Sequence, residues 1–123
     1  MIKRIQGHCA DETCPACVIA GDYIFLAHHC GGFDKQDAAY QMRTIFEKMN
    51  KTLKAAGASL DDMVQINLYM KDLSDFGEAR DVFYEYFEKD RFPARMTLTS
   101  EFIDAECMCM ADGVAYKPSA TTP

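Results

Sequence analysis

The chain has 123 residues, 49% of them hydrophobic, and a formal net charge of −6. This length supports one compact domain and is short for two. The 13 basic residues are spread among 19 acidic ones, which argues against a nucleic-acid partner that would require a basic patch. The sequence has no apolar run approaching the ~18 residues of a membrane span.

The first residues predict a strand and then a β-hairpin. Residues 1–6 read as a short strand, not as the hydrophobic region of a signal peptide, so we expect a cytoplasmic protein whose six cysteines stay reduced. Residues 19–27 form two apolar runs separated by Gly21-Asp22, a typical hairpin turn.

A long amphipathic helix is predicted over residues 36–56, where apolar side chains recur at helical spacing. Asp34 is the candidate N-cap, and Gly57 is the candidate C-terminal stop. Residues 63–70 then alternate between apolar and polar side chains, as in a strand with one buried face.

A second helix is expected to begin at a cap provided by Asp72 or Ser74 and to end near residue 87. A strand follows the proline at position 93, and the last strand covers about 106–116. The domain is therefore predicted to span residues 1–116, followed by a disordered tail at 117–123.

The most informative motif is Phe92-Pro93-Ala94-Arg95, which places one arginine in an otherwise uncharged strand. Alternation along that strand puts Arg95, Thr97 and Thr99 on one face. A guanidinium there needs an anionic partner, since an unpaired buried charge is costly. The partner is either the carboxylate of a ligand or an acidic side chain of the protein: Glu101, Glu106 or Asp112.

Two helices can cover only one face of the predicted sheet. The opposite face is expected to carry Tyr69, Arg95, Thr97, Met108 and Met110, a set too apolar to remain fully hydrated. We therefore expect another subunit to cover it.

Four segments of the chain, at 20–25, 55–64, 70–76 and 92–95, resemble the Rid family, the YjgF-type reactive-intermediate deaminases. The resemblance runs over about 15–116. It implies an α+β, chorismate-mutase-like fold, with a mixed sheet and two helices packed on one face. It also implies a homotrimer whose sheets face inward, with a ligand pocket at each subunit interface.

The same resemblance implies an activity. Family members bind the carboxylate of a 2-imino or 2-aminoacrylic acid through the arginine that matches Arg95, and water then releases ammonia and a 2-keto acid. A backbone carbonyl, a carboxyl group or His28 would position the water and accept its proton, since histidine side chains in general titrate near working pH. No cofactor is implied.

Several positions differ from the family pattern. Met110 stands where the family has a glutamate, and Thr97 stands where a cysteine is frequent. Ala27-His28 replaces a serine-glycine pair, and Cys14 lies near the position where a tyrosine is expected. These residues and Arg95 form the expected substrate site. Because a thioether cannot exchange protons, Met110 favours an alternative function: non-catalytic binding of small carboxylates such as 2-keto acids.

Two other interpretations start from separate residues. Zinc could bind to Cys14, Cys17 and either His28 or Cys30, but paired CxxC spacing is lacking, so no metal is expected. No companion residue for His8 is recognisable from the sequence.

Ribonuclease activity, which some relatives are credited with, is a third possible function and fits poorly with the acidic charge.

Overall fold

A computed structural model of the chain describes residues 1–118, and its core is one six-stranded mixed sheet in the order β1-β2-β3-β6-β4-β5. All neighbouring strands run antiparallel except β4 and β5, which are parallel. The strands are β1 Ile2–Ile5, β2 Cys17–Ala20, β3 Tyr23–His29, β4 Met63–Met70, β5 Ala94–Thr99 and β6 Cys109–Tyr116. The predicted mixed sheet is confirmed.

The long helix α1, Ala38–Ala55, begins two residues later than predicted. Its N-cap is Asp37, whose carboxylate accepts the backbone N–H of Tyr40 at 3.1 Å. Asp34, the predicted cap, instead accepts the hydroxyl of Tyr40. An aspartate caps a helix only where its own backbone is extended, as Asp37 is with φ −134° and ψ 113°.

The second predicted helix is divided into two short helices, α2 (Phe76–Asp81) and α3 (Phe83–Tyr86). They follow a 3₁₀ turn at Leu73–Asp75, where the carboxylate of Asp72 accepts the backbone N–H of Ser74. The division does not change the layering, since the helices still lie against one face of the sheet.

The core lies between this helical layer and the sheet. The apolar stripe of α1 is fully buried, at Met42, Ile45, Phe46, Met49 and Leu53. It packs against the buried β4 side chains Ile66, Leu68 and Met70. Each such side chain contributes about 1.5–3 kcal/mol through its burial, so the stripe fixes which face of the sheet is covered.

The strand β3 contains a β-bulge. Its pairing with β6 shifts between Leu26, opposite Gly113, and His29, opposite Ala111, so that Ala27 and His28 together lie opposite Asp112. A bulge re-aims the side chains beside it. As a result, His29 is buried under α1, whereas its neighbour His28 is exposed.

The predicted face for Arg95 is wrong. In the parallel ladder Ile66 pairs with Arg95 and Leu68 with Thr97, and paired residues point to the same side of a sheet. Arg95 and Thr97 therefore lie on the side covered by the helices. Alternation within one strand correctly groups these residues, but it cannot show which group faces the helices.

The other side of the sheet, hereafter the open face, has no helix packed on it in the described residues. Its exposed side chains are apolar or aromatic to an unusual extent: Tyr23, Phe25, Val64, Met96, Leu98 and Tyr116. The predicted alternation of residues 63–70 groups Val64 with the buried Ile66, Leu68 and Met70, but a register irregularity between Met63 and Gln65 turns Val64 outward.

None of the helices within residues 1–118 is both long enough and apolar enough to cross a membrane. Lys117, where the predicted tail begins, donates its backbone N–H to Asp22 at 2.8 Å. The rest of that tail, residues 119–123, lies outside the described part of the chain.

Gly113 is required by the close approach of β4 to β6. A Cβ at this position would collide with the backbone oxygen of Gln65 and lie 2.7 Å from Cε of Met63. We expect Gly113→Ala to lower the free energy of unfolding by about 1–3 kcal/mol, as measured by urea denaturation. Gly77→Ala is the matched control, since nothing lies within 4 Å of its Cβ. Equal unfolding midpoints for the two variants would contradict this account.

Candidate functional site

Arg95 lies on the edge strand β5 with an exposed side chain. Its Nε donates to the hydroxyl of Thr97 at 2.9 Å. The guanidinium carbon lies 5.3 Å from the ring centroids of both Phe76 and Phe83, within the range of a cation–π contact. The aromatic rings therefore form a platform that holds the guanidinium beside the helices.

Arg95 forms no ion pair with an acidic side chain of residues 1–118. The salt bridges in that part of the chain join Arg43 to Glu85 and Arg80 to Asp81. The alternative of an internal partner at Glu101, Glu106 or Asp112 is therefore wrong for the single chain. Four of the five N–H donors, those on the terminal nitrogens, remain available to a ligand.

A groove of about 320 Å³ lies on the open face, beside the bulge of β3. We call it the His28 groove. The side chains of His28, Tyr69, Met110 and Asp112 line one part of it, and segment 100–103 lines the remainder. It combines an apolar thioether with an imidazole, a phenol and a carboxylate, the composition of a site for a small polar molecule.

Two acidic residues, Asp112 and Glu101, line the His28 groove, and the carboxylate with side-chain hydrogen bonds belongs to Asp112. It accepts the side-chain amide of Asn67 at 2.7 Å and the hydroxyl of Tyr69 at 2.9 Å. Burial, and then the hydrogen bond to Asp112, raise the pKa of Tyr69 above its usual value, so the phenol stays a neutral donor. These two bonds hold the carboxylate in one orientation.

From the sequence, Asp112 was expected only as a possible partner for Arg95. Its place beside Met110 could have been predicted from its spacing, because residues two apart on a strand share a face. Asp112 therefore lies beside Met110 on the open face and provides a carboxylate near the position where the family glutamate is missing.

The predicted site residues fall into three places within one chain. Arg95 and Thr97 lie together on the helix side of the sheet. His28 and Met110 lie together in the groove on the open face. Cys14 lies in the segment between β1 and β2, with its sulfur within 4.8 Å of nitrogen atoms of His8 and His28.

Ala27 contributes through its backbone. Its N–H donates to the Ala16 carbonyl at 3.0 Å, and its carbonyl oxygen lies 2.7 Å from Nδ1 of His29. Nε2 of His29 lies 2.8 Å from the hydroxyl of Thr52. These contacts fit a neutral imidazole that donates from Nδ1 to the carbonyl and accepts from the hydroxyl at Nε2.

Burial lowers the pKa of His29 to about 4. The cationic form is disfavoured because the ring is 1% exposed in the core. His29 is thus a structural histidine, in contrast to its neighbour His28 in the groove.

Comparison with known proteins identifies the family. A protein-family model described as Endoribonuclease L-PSP matches residues 15–106. The chain therefore belongs to the YjgF/RutC, or Rid, family, and the resemblance found in the sequence is confirmed.

Individual relatives support this assignment. A RutC family protein of Pyrococcus horikoshii is 31% identical over 104 residues, which cover 80% of this chain and 82% of the relative. The 3-aminoacrylate deaminase RutC of Acinetobacter baylyi is 30% identical over 80 residues, covering 65% and 63%. A crystal structure of a YjgF family member from Neisseria meningitidis superposes with a TM-score of 0.87 at 19% identity, covering 97% of each chain. The predicted chorismate-mutase-like fold is thus confirmed.

The buried His29 predicts a pH dependence of stability. Its pKa is lowered in the folded state from 6.5 to about 4, so the unfolded chain binds more protons in this range. The contribution of the neutral ring to the free energy of unfolding is therefore complete above pH ~6.5 and is lost as the pH falls towards ~4. Between pH ~7 and pH ~5 the loss is about 2 kcal/mol. Urea denaturation at both values should show this loss in the wild type and a smaller one in His29→Gln. Equal pH dependence in the two proteins would contradict the assignment.

Proposed function

We propose that this protein hydrolyses small reactive 2-imino or 2-enamino acids to 2-keto acids and ammonia, at a site shared between the subunits of a homotrimer. The observation that carries the proposal is the guanidinium of Arg95, which stacks on two rings and has no acidic partner in residues 1–118. Family membership supports the same activity, since one relative is named a 3-aminoacrylate deaminase.

Arg95 would bind the carboxylate of the substrate. Its Nε is occupied by Thr97, which fixes the plane of the guanidinium. The two terminal nitrogens can then donate parallel hydrogen bonds to both oxygens of a carboxylate. The rings of Phe76 and Phe83 limit the movement of the guanidinium, so a substrate bound to it would be oriented before the reaction.

The His28 groove would provide the chemistry. The Asp112 carboxylate would accept a proton from a water molecule as the water oxygen bonds to the imine carbon. The imine nitrogen would take up a proton at the same time, which gives a carbinolamine. As its hydroxyl proton moves to the nitrogen, the C–O double bond forms, the C–N bond breaks and ammonia leaves. His28, Glu101 and the neutral phenol of Tyr69 are the other groove groups able to exchange or donate protons. Since imines already hydrolyse in water, orientation and charge placement are sufficient contributions.

Arg95 and the His28 groove lie on opposite faces of the sheet in one chain, so a substrate cannot contact both within one subunit. A neighbouring subunit that covers the open face would bring its own Arg95 to this groove. The apolar side chains of that face, including Phe25, Met96 and Leu98, support this association. The homotrimer with inward-facing sheets meets this requirement.

Met110 supports a second candidate function, the binding of small carboxylates without turnover. It lies in the groove at the position where a catalytic glutamate is usual, and its thioether cannot exchange protons. In that case 2-keto acids such as pyruvate would bind to Arg95, and calorimetry would show this binding in the absence of any ammonia release.

Ribonuclease activity is not our proposal, although the matching family model bears that description. The net charge of −6 opposes the approach of a phosphate backbone.

For the cellular compartment we propose the cytoplasm, because all six cysteines are free thiols, as is usual in a reducing compartment.

The Arg95→Ala variant should lose activity. With 2-aminoacrylate generated in situ, we expect its kcat/KM for ammonia release to fall by about 100-fold or more, since a charge-assisted pair is removed. Arg91→Ala, which removes another exposed arginine from the same segment, is the matched control and should retain activity.

If the wild type gives no acceleration over buffer but binds pyruvate through Arg95, the second candidate function is correct. If Arg95→Ala binds pyruvate as tightly as the wild type, the role of Arg95 as an anchor is wrong.

Mixing two inactive variants tests whether the site is shared. Arg95→Ala and Asp112→Asn should each be nearly inactive alone. When they are unfolded and refolded together at equal amounts, about one quarter of the sites would pair an intact Arg95 with an intact Asp112 of the adjacent subunit. We therefore expect recovery of about a quarter of the wild-type activity. A mixture as inactive as its components would exclude a site built from two subunits.

A further inference from the structure

His8 has an unusual environment for a side chain that looked isolated in the sequence. Both of its ring nitrogens are buried, and neither makes a hydrogen bond of good geometry within residues 1–118, although the ring lies near the backbone of His28. Leaving a buried polar group unpaired costs about 1–3 kcal/mol. Such a group in a folded protein indicates either a strained position or a ligand that the side chain is placed to bind.

Two other metal-ligating side chains lie beside His8. One ligand atom from each of His8, Cys14 and His28 can be chosen so that all three lie within 4.8 Å of one another. The rings of His8 and His28 meet edge to face, with centroids 5.8 Å apart. His29 is also close, with its ring centroid 5.0 Å from that of His8, but both of its nitrogens already have partners.

We propose that His8, Cys14 and His28 form a binding site for a divalent ion of the zinc class. Two imidazoles and one thiolate are a ligand set that suits Zn²⁺ and not Mg²⁺ or Ca²⁺, which prefer oxygen. Three protein ligands leave the fourth tetrahedral position open. The ion would connect segment 6–16, which contains His8 and Cys14, to the bulge of β3.

The proposed ligands differ from those considered from the sequence, which were Cys14, Cys17 and either His28 or Cys30, with no metal expected. Cys17 is 1% exposed and lies in the hydrophobic core. The companion that completes the set is instead His8, which is distant in sequence from His28.

The geometry requires only a small adjustment. Donor atoms around a tetrahedral zinc ion lie roughly 3.3–3.7 Å apart, given bonds of about 2.0–2.3 Å. The present separations are up to 4.8 Å, so the donor atoms would have to approach one another by about 1–1.5 Å to bind the ion.

Zinc binds neutral imidazoles and a deprotonated thiol, so binding at this site would release the thiol proton of Cys14. The nearby cation Lys48 opposes the ion, but its ammonium donates to the Cys30 carbonyl at 3.0 Å and is held there.

The metal site and the deaminase site share His28. A ring nitrogen bound to zinc cannot accept a proton, so the carboxylates of Asp112 and Glu101 would remain the proton acceptors of the groove in the metal-loaded protein. Metal binding is nevertheless measurable without activity, and the two proposals can fail separately.

Titration with zinc tests the site directly. Protein without an affinity tag, first treated with a chelator, should bind one Zn²⁺ per chain by calorimetry. His8→Ala and Cys14→Ser should each weaken binding by about 100-fold or more, because even outer-shell changes cost about 10–100-fold. Cys9→Ser is the matched control, since it removes an exposed thiol of the same segment, and it should bind like the wild type. Arg95→Ala should bind zinc normally, whatever its activity.

Cobalt provides a second readout on the unmodified chain. Bound Co²⁺ should show a thiolate-to-metal charge-transfer band in the near ultraviolet, and this band should be absent in Cys14→Ser. The proposal is overturned by a wild type that binds much less than one equivalent, by cobalt spectra without a thiolate band, or by unchanged zinc affinity in His8→Ala. Loss of binding in Cys9→Ser with retention in Cys14→Ser would also overturn it.

Discussion

The fixed position of one guanidinium is the constraint on which the proposed site depends. Arg95 is a permanent cation with an exposed side chain on an edge strand, and residues 1–118 provide no carboxylate to pair with it. Thr97 and two aromatic rings fix its position without neutralising its charge. A side chain held in this way is available to a partner from outside the chain, and its planar fork matches a carboxylate. The proposed substrate class follows from this one oriented cation.

The second determining feature is the bulge in β3. By placing Ala27 and His28 opposite the single residue Asp112, it directs two adjacent histidines to different environments. His29 enters the core as a neutral ring, while His28 lies between the groove and the cluster with His8 and Cys14. A regular strand would also separate neighbouring side chains, but the extra residue changes which of them faces the groove. The bulge therefore links the proposed catalytic groove to the proposed metal site.

The two halves of the proposed active site lie on opposite sides of one sheet, which makes a single chain incomplete. The open face explains how this can work, because its exposed aromatic and aliphatic side chains favour contact with another copy. Association would then both bury this surface and bring Arg95 to a groove that contains Asp112. In the proposed arrangement stability and catalysis would depend on the same interface. Asp112, on the same strand face as Met110, would supply a carboxylate that the thioether cannot.

The sequence by itself determined most of the local structure and singled out Arg95. The apolar period of α1, the Gly21-Asp22 hairpin and the alternation of β4 from Gln65 onwards follow from spacing alone, because each depends on neighbours along the chain. The motif containing Arg95 was recognisable for the same reason. Only the tertiary structure decided which side of the sheet Arg95 occupies, because strand alternation has two equivalent solutions until a helix packs on one of them. It also decided the companions of His8 and the place of Asp112 in the groove, since contacts between residues far apart in sequence depend on the register of the strands and on the bulge.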